Sequence, residues 1–190
     1  MENNELNRYD RQIRAWGFET QNKLKACKFL FYGITNSSLE CMKNLILAGA
    51  SFVHVLDSSN TEMAFANYVE FLKTLNPYCP LTVIHDDNFN NFQNYDYVCL
   101  FNANMEIFSK VIQTECVCLM ACGLTAYLLY GVPSISLHFN DEPTDVIDET
   151  ISGSLFSQLI IDHLPPIPRT ALQLKFDANN MSTSVQNVCV

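Results

Sequence analysis

The chain has 190 residues, with 20 acidic and 11 basic side chains, a formal net charge of -9 and a hydrophobic share of 48%. This length and composition predict one folded domain and exclude disorder as the main state. Because nucleic-acid binding needs a basic face, the negative charge excludes nucleic acid as the principal partner. No apolar run reaches the roughly 18 residues of a transmembrane helix, so we expect no membrane partner.

The chemistry-bearing residue types show no ordinary catalytic or metal pattern. The eight cysteines contain no CxxC pair, and several stand inside apolar runs. The N-terminal sequence MENNELNRYD is polar and does not read as a signal peptide. We therefore expect a reducing compartment and cysteines that pack in the core, without disulfides or a structural zinc. The histidine spacing fits neither a nucleophile–base pair nor a metal site, and no G-x-S-x-G, H-E-x-x-H or P-loop sequence occurs.

The first predicted element, in residues 5–28, is a short basic helix that ends in Trp16-Gly17, followed by a polar helical continuation over 21–28. Its sequence RYDRQIRAWG has three arginines at a spacing of three, which on a helix lie close to one face: Arg8, Arg11 and Arg14. Ile13 and Trp16 have the same spacing and would give the helix an apolar side. From the residues alone, this is either a solvated N-terminal helix anchored by Trp16 or a helix that lies on another surface.

Residues 29–137 alternate between apolar runs and helical patterns. Strands are predicted at 29–33, 51–57, 81–85, 97–102, 116–121 and, with a turn or bulge, 127–137. Helices are predicted between them at 39–49, 64–75 and 105–113. This alternation predicts a single reduced α/β domain, Rossmann-like, with a mostly parallel sheet and helices on both faces.

The C-terminal part is expected to add three smaller segments. Residues 140–150, NDEPTDVIDET, form an acidic connector that we expect to be mobile. Residues 151–178 hold a late helix, which prolines end, and an alternating strand. Residues 179–190 are a polar tail that we expect to be frayed.

The turn after the first strand departs from the pattern of a nucleotide site. A dinucleotide or ATP site on this frame needs the glycines of G-x-G-x-x-G, which let the backbone approach phosphate. The sequence GITNSS keeps only Gly33, with Thr35 and Ser38 at the second and third glycine positions. Thr35 obstructs the approach of phosphate, although a loop rich in serine and threonine can still hold an anion. Asp57 ends the second strand, where an acid either binds a ribose hydroxyl or only caps the strand.

Several motifs resemble the adenylation fold of the enzymes that activate ubiquitin-like proteins, a fold shared with bacterial ThiF and MoeB. The stronger matches are RYDRQIR at 8–14, W-G at 16–17, KNLILAG at 43–49, L-D at 56–57 and LNP at 75–77. Looser ones are GLTAYLLY at 123–130 and the late helix ISGSLFSQLIIDHL. The resemblance spans nearly the whole chain. In particular, the chain is similar to the non-catalytic, Aos-type subunit of the heterodimeric enzymes that activate SUMO, which implies a ThiF-type fold.

Departures from the active members imply that this chain does not adenylate a substrate by itself. Its glycine turn is broken, and the N-L-N-R-Q segment that carries an ATP-binding arginine is missing after the second strand. Asn104 stands at the position that matches the aspartate that binds Mg, and it lacks the charge that a metal needs. The position of the catalytic-cysteine domain holds only the acidic connector.

The resemblance also implies a role in trans for one arginine. The second arginine of RYDRQIR, here Arg11, reaches the ATP of the active subunit in that family, where a guanidinium offsets charge on triphosphate oxygens. Arg14 either helps or pairs with local acids. We therefore expect no cofactor or metal in this chain, and ATP and Mg in a catalytic Uba-type partner. The implied complex is a nuclear and cytoplasmic heterodimer that activates a SUMO-like modifier.

Three alternatives stay open from the sequence. The first is the equivalent subunit for a Rub/Nedd-type modifier, although the shortness of the chain favours the Aos type. The second is a stand-alone ThiF-like protein that binds nucleotide in an unconventional way. The third is a binding module that has lost even the role in trans.

Overall fold

The structure, a computed structural model, describes residues 3–56, 63–85, 89–133, 135–139 and 144–188. Within these residues, eight strands form one sheet in the order β3-β2-β1-β4-β5-β6-β7-β8. The strands are β1 (Lys28–Tyr32), β2 (Phe52–Leu56), β3 (Leu81–Ile84), β4 (Tyr97–Phe101), β5 (Val117–Cys122), β6 (Thr125–Tyr130), β7 (Thr170–Asp177) and β8 (Ser182–Asn187). The helices are α1 (Asn3–Ala26), α2 (Asn36–Ala48), α3 (Met63–Leu75), α4 (Met105–Val111) and α5 (Val146–Asp162).

The sheet has a parallel part and an antiparallel part. Parallel pairings join β3, β2, β1, β4 and β5, and antiparallel pairings add β6, β7 and β8. Strands buried on both faces read as continuous apolar runs, and all five residues of β4 are buried. The sheet confirms the predicted α/β class and its mostly parallel pairing.

Alternate side chains of the strands face two separate cores. On one face, α1, α2, α3 and α5 pack over strand residues such as Phe31. On the other face, α4 and the described residues 132–133 and 135–139 cover strand residues such as Leu30. The α2–α5 contact is close, because a Cβ on Gly153 would lie 2.3 Å from the carbonyl oxygen of Ser37.

The described cysteines support the prediction of core packing. Those that are buried and unbridged are Cys27, Cys41, Cys79, Cys99, Cys116 and Cys118. Burial raises the pKa of the Cys27 and Cys79 thiols to about 12, so both stay protonated at neutral pH and pack as small apolar groups. Cys189 lies outside the described residues. In the described part of the chain, no acidic, histidine or cysteine group could hold a metal ion, and no helix is long and apolar enough to cross a membrane.

Helix α1 consists of two helical arms, and the break at Gly17 agrees with the predicted end of the short basic helix at Trp16-Gly17. Gly17 interrupts it with φ 88° and ψ 158°, a conformation that favours glycine. The backbone turns back there, so that Lys25 Nζ lies 2.6 Å from Glu5 Oε2. A straight helix of about 20 residues would hold these groups roughly 30 Å apart. The second arm ends at Ala26 and Lys28 begins β1, so the predicted helix end was wrong.

The C-terminal part differs most from the prediction. Helix α5 begins at Val146, so part of the expected acidic connector is helical, whereas residues 140–143 lie outside the described residues. Strand β6 ends at Tyr130, so the strand predicted over 127–137 is shorter. The expected frayed tail instead forms β8, paired with β7. Its polar side chains do not prevent this, because strand pairing is made by the backbone.

Candidate functional site

The turn between β1 and α2 lies at the carboxyl edge of the parallel strands, where ligands bind in doubly wound folds. Gly33 has φ +85°, and a Cβ on it would lie 2.0 Å from the carbonyl oxygen of Phe101 at the end of β4. Only glycine allows this conformation and this close approach. The single glycine kept from the phosphate-binding pattern is therefore required by the packing of the turn itself.

Thr35 and Ser38 cap α2 with their own side chains. Thr35 is the N-cap, and its Oγ1 accepts a hydrogen bond from the Ser38 amide at 3.1 Å. In return, Ser38 Oγ accepts one from the Thr35 amide at 2.8 Å. Such a capping box satisfies backbone donors that a phosphate would otherwise engage. The second and third glycine positions thus hold a structural cap, and Ser38 is fully buried.

Replacing Thr35 with alanine is expected to lower the free energy of unfolding by about 1 kcal/mol, because the Ser38 amide loses its acceptor. Urea unfolding followed by circular dichroism measures the change. The matched control is Thr35→Ser, which keeps the hydroxyl and is expected to unfold close to the unchanged protein. Equal losses in the two variants would contradict the capping role.

Glu149 of α5 brings a carboxylate to the start of α2. Its Oε2 accepts from Asn36 Nδ2 at 2.9 Å, and its Oε1 accepts from Thr144 Oγ1 at 3.0 Å. A negative charge at a helix N-terminus is favourable, and it opposes a phosphate at the same place. The cavity between this carboxylate, Thr35 and Phe101 is about 10 Å³, which is roughly the room for one water. The Glu149 carboxylate and the small size of this cavity therefore disfavour a phosphate at the start of α2.

Asn104 lies at the same edge of the sheet, after β4, the neighbour of β1. Its Oδ1 accepts from the Ile107 amide at 2.9 Å and caps α4. This side chain therefore serves a helix terminus, as expected for asparagine at an N-cap. Asp57, the remaining residue predicted for a degenerate nucleotide site, lies outside the described residues. The other residues predicted for that site, in the 33–38 turn and at position 104, lie together at the carboxyl edge of the parallel strands.

The three arginines of the first α1 arm have different surroundings. Arg8 Nη2 donates to the carbonyl oxygen of Leu75, the last residue of α3. Arg14 pairs with Asp10, with Nη2 2.9 Å from Oδ2. Arg11 is exposed, and it makes no ion pair or side-chain hydrogen bond with the described residues. Of the three, Arg11 is thus the arginine whose side chain has no partner among the residues that the structure describes.

Three segments that carry the resemblance meet where α1 docks on the ends of α2 and α3. We call this contact the arm junction, formed by Tyr9, Gln21, Gly49 and Asn76. Asn76 Nδ2 donates to Tyr9 Oη and to the Ile46 carbonyl, both at 2.7 Å. Gln21 Nε2 donates to the Ala48 carbonyl at 2.7 Å. Because these carbonyls are among the last of α2, the junction also satisfies the end of that helix.

Gly49 makes the close docking possible. It ends α2 with φ 110°, and a Cβ on it would lie 2.5 Å from Gln21 Nε2 and 3.0 Å from Tyr9 Cζ. Burial raises the pKa of the Tyr9 phenol above its ordinary value, so the group stays protonated at neutral pH. The pattern of residues did not indicate Tyr9, Gln21 or Asn76 as anchors of the arm. It indicated Trp16, which is only half-buried and donates to Gln21 Oε1 at 3.1 Å.

The arm junction and the phosphate turn lie at opposite ends of α2. The helix has 13 residues between the Thr35 cap and Gly49, a length of about 20 Å. Arg11 follows Tyr9 of the junction by half a helical turn. Arg11 therefore lies beside the junction end of α2, at the other end of that helix from the phosphate turn.

The fold is a single α/β domain of the Rossmann type, similar to MoeB/ThiF-like folds. A solved structure of E. coli MccB with MccA matches with a TM-score of 0.70 and 14% identity, over 95% of this chain and 71% of that one. PaaA matches with a TM-score of 0.68 and 11% identity, over 98% of this chain and 74% of that one. At such identities the likeness shows the fold alone. No protein-family model matches the chain.

Sequence comparison finds curated proteins named SUMO-activating enzyme subunit 1 and confirms the resemblance. The Homo sapiens protein is 32% identical over 130 residues, which cover 57% of this chain and 38% of that protein. The Dictyostelium discoideum protein is 32% identical over 126 residues, which cover 54% and 38%. This chain therefore matches less than half the length of these relatives.

Proposed function

We propose that this chain is the non-catalytic subunit of a heterodimeric SUMO-activating enzyme. In this proposal the partner subunit holds ATP and Mg, adenylates the C-terminal glycine of the modifier and then carries it as a thioester on its own cysteine. This chain scaffolds the partner and lends it Arg11. The similarity to proteins named SUMO-activating enzyme subunit 1 supports the assignment.

One observation carries the proposal: the chain's own side chains cap the phosphate turn, and Arg11, on a docked arm, has no ion pair or side-chain hydrogen bond among the described residues. The Thr35–Ser38 capping box forms the cap, and the Glu149 carboxylate lies beside it. The cavity of about 10 Å³ between them, roughly the room for one water, supports this proposal. This geometry supports a role of the chain on a nucleotide that another chain holds.

The arm is suited to present a guanidinium to a neighbour. Asn76 and Gln21 hold it by buried hydrogen bonds, and Arg8 ties it to the end of α3. Preorganisation of this kind lowers the entropy cost of placing Arg11 at a charged group. An arginine supplied from outside stabilises phosphate oxygens with several donors in a fixed planar array.

ATP–pyrophosphate exchange by the reconstituted pair tests the proposal. We expect modifier-dependent exchange and thioester formation when both subunits are present, and neither when the catalytic subunit is assayed alone. The isolated chain is expected to show no ATP binding in titration calorimetry at millimolar nucleotide. A catalytic subunit that is fully active alone would contradict the scaffold role.

The alternatives give different results in the same assays. ATP binding by the isolated chain would favour the stand-alone nucleotide-binding protein. Thioester formation with a Rub/Nedd-type modifier, and none with a SUMO-type modifier, would favour the equivalent subunit of that other enzyme. The name of the relatives favours SUMO, so we expect the SUMO-type modifier to be the one activated.

A further inference from the structure

Strand β8 forms an open edge of the sheet. It pairs with β7 on one side, and all six of its residues are exposed. The Val188 amide donates to the Ala171 carbonyl of β7. In an antiparallel pair, inward- and outward-pointing backbone groups alternate along the strand. Thr183, Val185 and Asn187 therefore direct their amides and carbonyls away from β7, toward the open edge.

The two edges of the sheet differ in how they are protected. Edge strand β3 is only four residues long and follows directly on Pro80, which cannot donate to a neighbouring strand. Strand β8, STSVQN, contains no proline and no charged residue. Proteins normally use charge, proline or shortness to prevent edge pairing, and β8 has none of these. The β8 edge is thus built to accept another strand.

A second copy of the same strand fits this edge. Antiparallel pairing about a two-fold axis at Val185 would set Val185 beside its symmetry mate, Thr183 opposite Asn187 and Ser184 opposite Gln186. No like charges would oppose each other, although the chain as a whole carries -9. The outward groups would make about six backbone hydrogen bonds, as alternate residues do in antiparallel pairs. The arrangement is self-complementary, as a two-fold interface requires.

The exposure of one apolar side chain on β8 also favours pairing with a second copy of this strand. Val185 lies opposite Leu174 of β7, which is 4% exposed, yet Val185 itself is 54% exposed. It belongs to the face that α1, α2, α3 and α5 cover, beyond the reach of those helices. Contact between two symmetry-related valines would remove this apolar surface from water.

We propose that β8 pairs with the β8 strand of a second copy of this chain to form a symmetric dimer with one continuous sheet. One strand per copy buries a small area, so the association is weak and depends on concentration. The dimer leaves the arm junction untouched. Asn76 of the junction lies between α3 and β3, and β3 lies at the edge of the sheet opposite β8. This inference therefore does not depend on the proposed function.

Sedimentation velocity of the full chain over a range of concentrations tests the proposal. We expect the mass to rise from one copy to two for the unchanged chain, whereas Val185→Pro stays at one copy throughout. Proline at 185 removes an outward amide and leaves the bonds to β7 in place. The matched controls are Val185→Thr, which keeps the amide and is expected to dimerise, and Ser184→Pro, which removes an inward amide and is expected to lower the Tm.

Amide hydrogen exchange supplies a second readout that needs no variant. In a concentrated sample, the amides of Thr183, Val185 and Asn187 are expected to exchange more slowly than in a dilute one. A chain that stays a single copy at every concentration overturns the proposal. So does a folded Val185→Pro variant that dimerises as the unchanged chain does. If that variant does not fold, unchanged exchange of the three amides in the concentrated sample overturns it.

Discussion

Replacing Arg11 with alanine is expected to slow ATP–pyrophosphate exchange by the reconstituted pair about 10³-fold, the loss typical when an arginine supplied in trans is removed. The physical reason is that Arg11 is the arginine of its motif whose guanidinium has no partner among the described residues. Because the side chain is exposed, the thermal stability of this chain and its association with the catalytic subunit should hardly change. Exchange rates at saturating subunit concentration, with Tm measured in parallel, separate catalysis from folding.

The neighbouring arginines are the matched controls. Arg8 binds the end of α3, so Arg8→Ala is expected to lower the Tm and to leave exchange by the folded pair close to normal. Arg14 is paired with Asp10 on an exposed surface, and Arg14→Ala is expected to change little in either measurement. If exchange requires this chain but Arg11→Ala leaves its rate unchanged, the role in trans is wrong and a scaffold alone is correct.

The architecture of the parallel sheet could be predicted because its signals are local. Buried strands such as β4 are unbroken apolar runs, and Gly49 ends α2 in the left-handed conformation that its residue type predicts. The predictions failed for segments whose structure depends on contacts with residues far away in the sequence. Whether polar β8 is a strand depends on pairing with β7, and the two arms of α1 are joined by Lys25 and Glu5, twenty positions apart. No pattern within either segment records such contacts.

The sequence predicted which nucleotide-binding residues are missing from the site, but not which contacts stand in their place. Residue types alone showed that Thr35 and Ser38 break the glycine pattern. They did not show that these two side chains satisfy each other's backbone amides. Glu149 was beyond prediction, since it reaches Asn36 across 113 positions and had been assigned to a mobile connector. RYDRQIR, KNLILAG and LNP are separate motifs in the sequence, and only the fold shows that they meet at one junction.

Replacing Asn76 with alanine is expected to lower the free energy of unfolding by about 3 kcal/mol. The side chain is fully buried, donates to Tyr9 Oη and to the Ile46 carbonyl, and accepts from the Tyr78 amide at 3.1 Å. Alanine would leave these buried partners without their hydrogen bonds, and each one costs more than the loss of an exposed contact. For a domain of this size, the Tm should fall by about 6–12 °C.

The control for Asn76 is Asn91, an exposed asparagine at the start of a short 3-10 turn whose side chain makes no capping hydrogen bond. Asn91→Ala is expected to change the Tm by no more than about 1–2 °C. Because Asn76 joins α1 to both α2 and α3, its loss should also release the arginine arm. Limited proteolysis should then cut near Gly17 faster in Asn76→Ala than in Asn91→Ala. Equal cleavage and equal Tm in the two variants would show that the arm is held by other contacts.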